Sequence, residues 1–194
     1  MVTKQREKSL QTREELMEQA VAVFCRKGFE QATIAEITSE AGYAKGNFYR
    51  HWRSKDQIFL DIMEERLRAY RAARGRKLEQ AESAEQAVQV ILDFLETIID
   101  DTAWSRVVLE FTTHAFGSEE LKKQLNRSSY RLNTSLFADL LTPFIADRQS
   151  TQKLGALITA LFEGFLIQQF LETHVLDKQD LREAALLLAR SFLD

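Results

Sequence analysis

Between Thr33 and Lys55 the chain reads Thr-Ile-Ala-Glu-Ile-Thr-Ser-Glu-Ala-Gly-Tyr-Ala-Lys-Gly-Asn-Phe-Tyr-Arg-His-Trp-Arg-Ser-Lys, and no other passage constrains the fold as much. Thr33 is a good N-cap and Glu36 follows three residues later, the reciprocal capping box, while Ile34 and Ile37 give the helix behind it an apolar side. Gly42 ends that helix, because a glycine just past the last helical residue takes the left-handed conformation that other residues resist, and Tyr43-Ala44 completes a tight turn. In the short helix that follows, Phe48 and Trp52 are four apart and share a face, which leaves Lys45, Asn47, Tyr49, Arg50 and His51 pointing elsewhere. The passage therefore reads helix, turn, helix. A helix that enters a major groove needs long donors, a small residue where the backbone comes close, and an apolar back that fixes its angle. Here those are Lys45, Tyr49, Arg50 and His51, then Gly46, then Phe48 with Trp52. The same spacing also suits a solvated hairpin inside an all-helical core, since such units serve as packing elements too.

Phe24, Gly28, Phe29, Thr33, Ile37, Ala41, Gly42, Lys45-Gly46, Phe48-Tyr49, His51-Trp52 and Ser54-Lys55 fall at the spacings of the N-terminal signature of the TetR family of bacterial transcriptional regulators. The first third of the chain resembles that family. The resemblance implies a three-helix DNA-binding domain with Thr33, Lys45, Tyr49, His51 and Lys55 on the DNA backbone. Residues around Ala44, Asn47 and Arg50 would then face base edges. Ala44 stands where the family usually carries Ser or Thr, a position that caps the recognition helix and touches DNA.

Only one proline and seven glycines occur in 194 residues, so strands joined by tight turns are disfavoured and long helices favoured; the fold is expected to be all-α, with about nine helices. A length of 194 and a hydrophobic content of 45% suffice for a small domain plus a larger one, placed at 1–55 (DNA binding) and 56–194 (ligand binding and dimerisation). Net charge is −3, against a protein that coats nucleic acid indiscriminately. The first 56 residues carry a net +2 and the remainder −5, a weakly basic head on an acidic body. Cys25 is alone and cannot form an internal disulfide, which points to a reducing cytoplasm. Its neighbours Arg26 and Lys27 would favour a thiolate, although a small residue on a packed helix explains it equally well. Met1 to Thr12 has no apolar run of the kind a signal peptide needs, and no later segment approaches the ~18 apolar residues of a membrane span.

In chain order, residues 1–9 read as a mobile basic arm and Thr12–Lys27 as helix one, with Thr12 as its cap and Leu16, Ala20, Val23 and Phe24 on one face. Helix four starts after Ser54 and runs to about Leu78. A lysine in its first turn opposes the helix dipole unless an anion is near, so Lys55 hints at a phosphate. The arginines at 66, 68, 71, 74 and 76 along this helix suit a solvated face, or DNA or lipid. Ser83 opens helix five, Trp104–Phe116 is helix six, a long helix seven follows Gly117-Ser118 to Leu141 before Pro143, and helices eight and nine span Thr151–Leu171 and Gln179–Leu193.

Catalysis finds little support: His51, His114 and His174 are far apart, and no glycine-rich phosphate loop or metal-type Cys/His cluster exists, so no cofactor or metal is expected. Glu110 and His114, four apart on helix six, form either a polar pair or half of a binding site. An effector pocket among helices five to eight is expected from an excess of aromatic and polar side chains there: Trp104, Glu110, Phe111, His114, Phe116, Tyr130, Phe137, Gln168 and Gln169. On helix eight Leu154, Leu157, Ile158, Leu161, Phe162 and Phe165 make one stripe, and the small residues Ala156, Ala160 and Gly164 a second. Helix nine offers Leu181, Ala184, Ala185, Leu188 and Phe192. Two buried sides ask for a partner, and the family resemblance implies a four-helix dimer interface that includes Leu157, Leu161, Gly164, Phe165, Leu181, Ala185 and Leu188. The expectation is a homodimeric regulator of a palindromic duplex operator, a repressor released by a small hydrophobic or amphipathic ligand. An activator of the same fold is the near variant, and an all-α enzyme or protein-interaction module the different one.

Overall fold

The computed structural model describes residues 4–127, 141–145 and 147–192, without the side chains of 71, 74–76, 78 and 79. Among the described residues there are nine helices and no strand: α1 Lys4–Lys27, α2 Ile34–Glu40, α3 Lys45–Tyr49, α4 Lys55–Glu79, α5 Ala84–Asp100, α6 Thr102–Ala115, α7 Glu119–Leu125, α8 Arg148–Phe170 and α9 Lys178–Arg190. An all-α fold is what so few helix breakers permit. The chain packs as two units, one of Met1–Arg66 with Ala103–Leu125 and one of Leu67–Thr102 with Asn126–Asp194. A boundary at residue 55 follows the sequence motif, whereas the packing carries the head on through the first half of α4 and adds α6 to it.

In the first unit the apolar residues fall at helical spacing and are buried accordingly: Leu16, Ala20, Val23 and Phe24 on α1, Ile58, Phe59, Ile62 and Met63 on α4, Trp104, Val107, Phe111 and Ala115 on α6. Rings dominate the centre. Phe29 meets Phe59 and Phe111 edge-on at 5.3 and 4.9 Å, and Phe59 stacks on Phe111 at 4.1 Å. Each such ring is worth roughly 1.5–3 kcal/mol in burial alone. Phe29 is reached because Gly28, with φ +84°, turns the chain off the end of α1.

The N-terminal arm is a correction. Helix α1 begins at Lys4 rather than after Thr12, because Lys4 to Lys8 are good helix formers and the Thr12 hydroxyl donates back to the Lys8 carbonyl at 2.9 Å instead of capping a new helix.

In the second unit α9 packs on α5 and α8. Helix α5 buries Val88, Ile91, Leu92, Leu95 and Ile99 on one side, α8 buries Leu154, Ile158, Phe162 and Phe165, and α9 buries Ala185 and Ala189. Arg182 of α9 lies 2.7 Å from Asp93 and 2.7 Å from Glu96 of α5, and those carboxylates, Asp93 foremost, raise the guanidinium pKa further. Asp147 and Asp177 cap α8 and α9 through their side chains. Of the long helix expected after Ser118, Glu119–Leu125 is described; Leu132, Leu136 and Leu140 lie outside the described residues.

Candidate nucleic-acid interface

The capping box forms as the residue types require. Thr33 Oγ1 accepts from Glu36 N–H at 3.2 Å while Glu36 Oε2 accepts from Thr33 N–H at 3.1 Å, and Gly42 takes φ +73° at the turn. Helix α3 then runs from Lys45 to Tyr49 with Ala44 extended at its N-cap and no side-chain cap bond. Ala44, Lys45, Gly46, Tyr49 and Arg50 are exposed, Asn47 and His51 half-buried. Among the described residues, no hydrogen bond or ion pair engages the side chains of Lys45, Asn47 or Arg50, or the Tyr49 hydroxyl. An added Cβ at Gly46 would meet nothing within 4 Å, so the protein's own packing does not require glycine there. The His51 pKa is lowered, by burial first and then by the charges of Arg13 and Arg50.

The back of this helix is tightly held. Phe48 is fully buried and Trp52 nearly so, their rings 5.4 Å apart. Trp52 Nε1 donates to Asp61 Oδ2 at 2.8 Å, and Arg13 Nη2 donates to the same oxygen at 2.8 Å with its guanidinium 5.6 Å from the Trp52 ring. Tyr43 donates its hydroxyl to Glu15. Arg13 and Asp61 are functional neighbours that the sequence does not flag, since they are 48 residues apart and neither breaks the helical pattern around it.

Lys55 does not wait for a phosphate. Its Nζ donates to the carbonyl oxygens of Phe29, Glu30 and Ala32 at 2.5, 3.0 and 3.0 Å and sits 4.4 Å over the Phe29 ring. The ammonium has three N–H groups and all three are used. The negative partner inferred from its place in the first turn of α4 is therefore a set of carbonyls, not DNA. Burial lowers its pKa, with Glu30 and Asp56 opposing.

The residues expected to line one effector pocket do not come together. Trp104 and Phe111 stack on Phe59 at 5.3 and 4.1 Å, inside the first unit. Glu110 Oε2 accepts from the Phe29 N–H at 2.7 Å, and His114 lies 2.7 Å from Glu30 and 3.1 Å from Asp56, also in the first unit. Gln168 belongs to the second unit, where its carbonyl oxygen lies 3.2 Å from the Thr173 hydroxyl, and Phe116 is 65% exposed. Tyr130 and Phe137 lie outside the described residues. An aromatic and polar face satisfies a head core as well as a ligand, and spacing alone does not name the neighbour. The second unit does hold an open cleft of about 310 Å³, lined by Ile99, Phe165, Gln169, His174, Leu176, Asp177 and Lys178.

The expected interface residues divide between two roles. Phe165 and Ala185 are buried within the protomer, which corrects their assignment to a subunit contact: α5, α8 and α9 need them for their own core. Leu157 and Leu161 remain 44% and 38% exposed, Ala160 and Gly164 are exposed, and Leu181 and Leu188 are half-buried. A Cβ on Gly164 would meet nothing within 4 Å. Positions 157, 160, 161 and 164 form one stripe at helical spacing.

Two family models cover most of the chain: bacterial regulatory proteins of the tetR family over residues 16–62, and the C-terminal part of BetI-type transcriptional repressors over residues 79–194. The chain belongs to the TetR family. An uncharacterized HTH-type transcriptional regulator of Bacillus subtilis, YfiR, is 30% identical over 151 residues, 75% of this chain and 70% of that one. The fold matches FadR of Bacillus subtilis, solved in complex with stearoyl-CoA, with a TM-score of 0.75 at 18% identity over 93% of this chain and 99% of that one. It also matches a regulator of Saccharomonospora viridis, solved in complex with choline, with a TM-score of 0.70 at 17% identity over 90% and 93%. As a TetR-family member the protein is a DNA-binding transcriptional regulator, and α2–α3 is its helix-turn-helix. Among the described residues, no helix is long and apolar enough to cross a membrane.

Proposed function

We propose that the protein is a cytoplasmic, homodimeric repressor that binds a near-palindromic duplex operator through residues 1–55 and is released by a small hydrophobic or amphipathic molecule bound in the remainder. The observation that carries the reading is α3 itself: a five-residue helix anchored from behind by Phe48, Trp52 and Asp61, whose outward donors Lys45, Asn47, Tyr49 and Arg50 have no partner among the described residues. Thr33, Gly46 and His51 border that surface, and Ala44 faces the same groove. The exposed stripe of α8, with Leu181 and Leu188 of α9, supports a two-fold partner, and a two-fold protein reads half-sites about one helical turn apart or a multiple of it. The cleft at Phe165 and Gln169 is the place to look for the effector. Its mixed apolar and polar lining suits an amphipathic molecule, and solved neighbours of the same fold hold stearoyl-CoA and choline.

The test is enrichment of duplexes from a random-sequence pool by the purified protein, followed by sedimentation of free and bound protein and titration with stearoyl-CoA and with choline. A palindromic consensus bound by a dimer is expected. An effector must weaken operator binding by the factor by which operator weakens effector binding. Enrichment of no sequence, or of a non-repeated one bound by a monomer, sinks the reading.

A further inference from the structure

The turn of residues 28–32 between α1 and α2 is shaped by side chains that belong to other elements. Lys55 of α4 gathers its carbonyls, as described. Helix α6 takes what remains. Glu110 Oε2 accepts the Phe29 N–H at 2.7 Å, and a Cβ on Gly28 would come within 2.6 Å of the same oxygen, so Gly28 is required by the approach of Glu110 as well as by its own φ. One turn further along α6, His114 Nδ1 lies 2.7 Å from Glu30 Oε1 and Nε2 lies 3.1 Å from Asp56 Oδ1, with the ring 5.1 Å from Phe29. Positions 110 and 114 share a face of α6 with the core residues Val107 and Phe111. Apolar side chains there would fill space equally well but would leave the Phe29 N–H without an acceptor.

We propose that Glu110 and His114 are positioning residues for operator binding: they touch no DNA, but they set the turn and hence the direction in which α2 and α3 leave α1. Helix α2 begins at Ile34, immediately after the gripped residues, and α3 follows α2 through the Gly42 turn, so an error at 28–32 is carried to Lys45 and Arg50. Without the grip the head samples other settings, and apparent affinity falls by the fraction of molecules in the competent one. The proposal rests on α3 being the DNA-reading helix.

The probe is the duplex enriched by the full-length parent from a random pool. Affinity is measured at several salt concentrations, well below the melting temperature, for the parent, Glu110→Ala, Glu110→Gln and His114→Gln. Glu110→Ala is expected to lose about tenfold in affinity, the scale of one charge-assisted hydrogen bond. Glu110→Gln should return most of it, because its amide oxygen can accept the Phe29 N–H. His114→Gln, which keeps the Phe29 bond and loses an ion pair, should lose about threefold. The salt slope should not change in any of them, since no phosphate contact is lost. A merely structural role would lower the melting temperature and leave the affinity of the folded protein alone. Parental affinity in folded Glu110→Ala and His114→Gln overturns the proposal, as does a salt slope reduced by about one, which would put the residue on a phosphate. Should Glu110→Ala not fold, His114→Gln decides alone by the same criteria. A parent that enriches no duplex overturns the DNA-binding reading and this proposal with it, an outcome distinct from the first.

Discussion

At position 45 a lysine ends in solvent and at position 55 a lysine ends among backbone carbonyls, so the same substitution should fail in two different ways. Lys45→Ala is expected to reduce the slope of log affinity against log salt by about 0.9, one phosphate contact, with melting unchanged. Lys55→Ala leaves three carbonyls short of a donor and should cost about 1–3 kcal/mol of stability in urea unfolding, with the salt slope intact. A flattened slope for Lys55→Ala would return that residue to the DNA. His51 adds a pH dependence. Its folded pKa lies below the ordinary value of 6.5, so the unfolded chain binds the proton more readily. The stability associated with neutral His51 is therefore present above pH 6.5 and is lost as pH falls from there through the lowered pKa. The urea midpoint of the parent should drop more than that of His51→Gln between neutral and mildly acid pH, and equal drops would refute the assignment.

Helix α3 has five residues and is far too short to stand alone, so its existence depends on what holds its back. Glycine at position 46 weakens it further, and the space around a Cβ there is open. Gly46→Ala should thus stabilise the protein by about 0.4–1 kcal/mol, seen as a higher melting temperature, because it removes backbone freedom from the unfolded chain. The same methyl should weaken operator binding if the backbone of α3 approaches DNA at that point. A variant that melts higher and binds equally well would show that no close approach occurs there. At this scale much was legible beforehand. The Thr33–Glu36 box, the Gly42 stop and the buried pair Phe48–Trp52 all follow from residue types within one or two turns. Helix α1 was less so, since Thr12 can cap a helix or bond back within one, and only its neighbours decide.

For the whole molecule, the two sides of α8 separate cleanly. Leu154, Ile158, Phe162 and Phe165 serve the protomer, while Leu157, Leu161 and Gly164 are left outside. Gly164→Phe meets no obstacle inside the protomer, so the variant should fold, sediment as a monomer and bind operator far more weakly. A dimeric Gly164→Phe would move the two-fold contact elsewhere. A folded monomer that binds as tightly as the parent would remove the need for symmetry.

What the sequence determined by itself is local. Scarce glycine and proline impose helices, capping residues and a left-handed glycine impose the helix-turn-helix, and apolar spacing shows which face of each helix is covered. What covers it was decided in three dimensions. Trp104, Glu110, Phe111 and His114 have the make-up of a ligand site, yet their partners are Phe59, Phe29, Glu30 and Asp56. Lys55 has the place of a phosphate ligand, yet its charge is spent on carbonyls. The periodicity of a helix reports that a side chain is buried or paired, because burial is a property of its face. It does not report with whom, because the partner is brought by a segment tens of residues away.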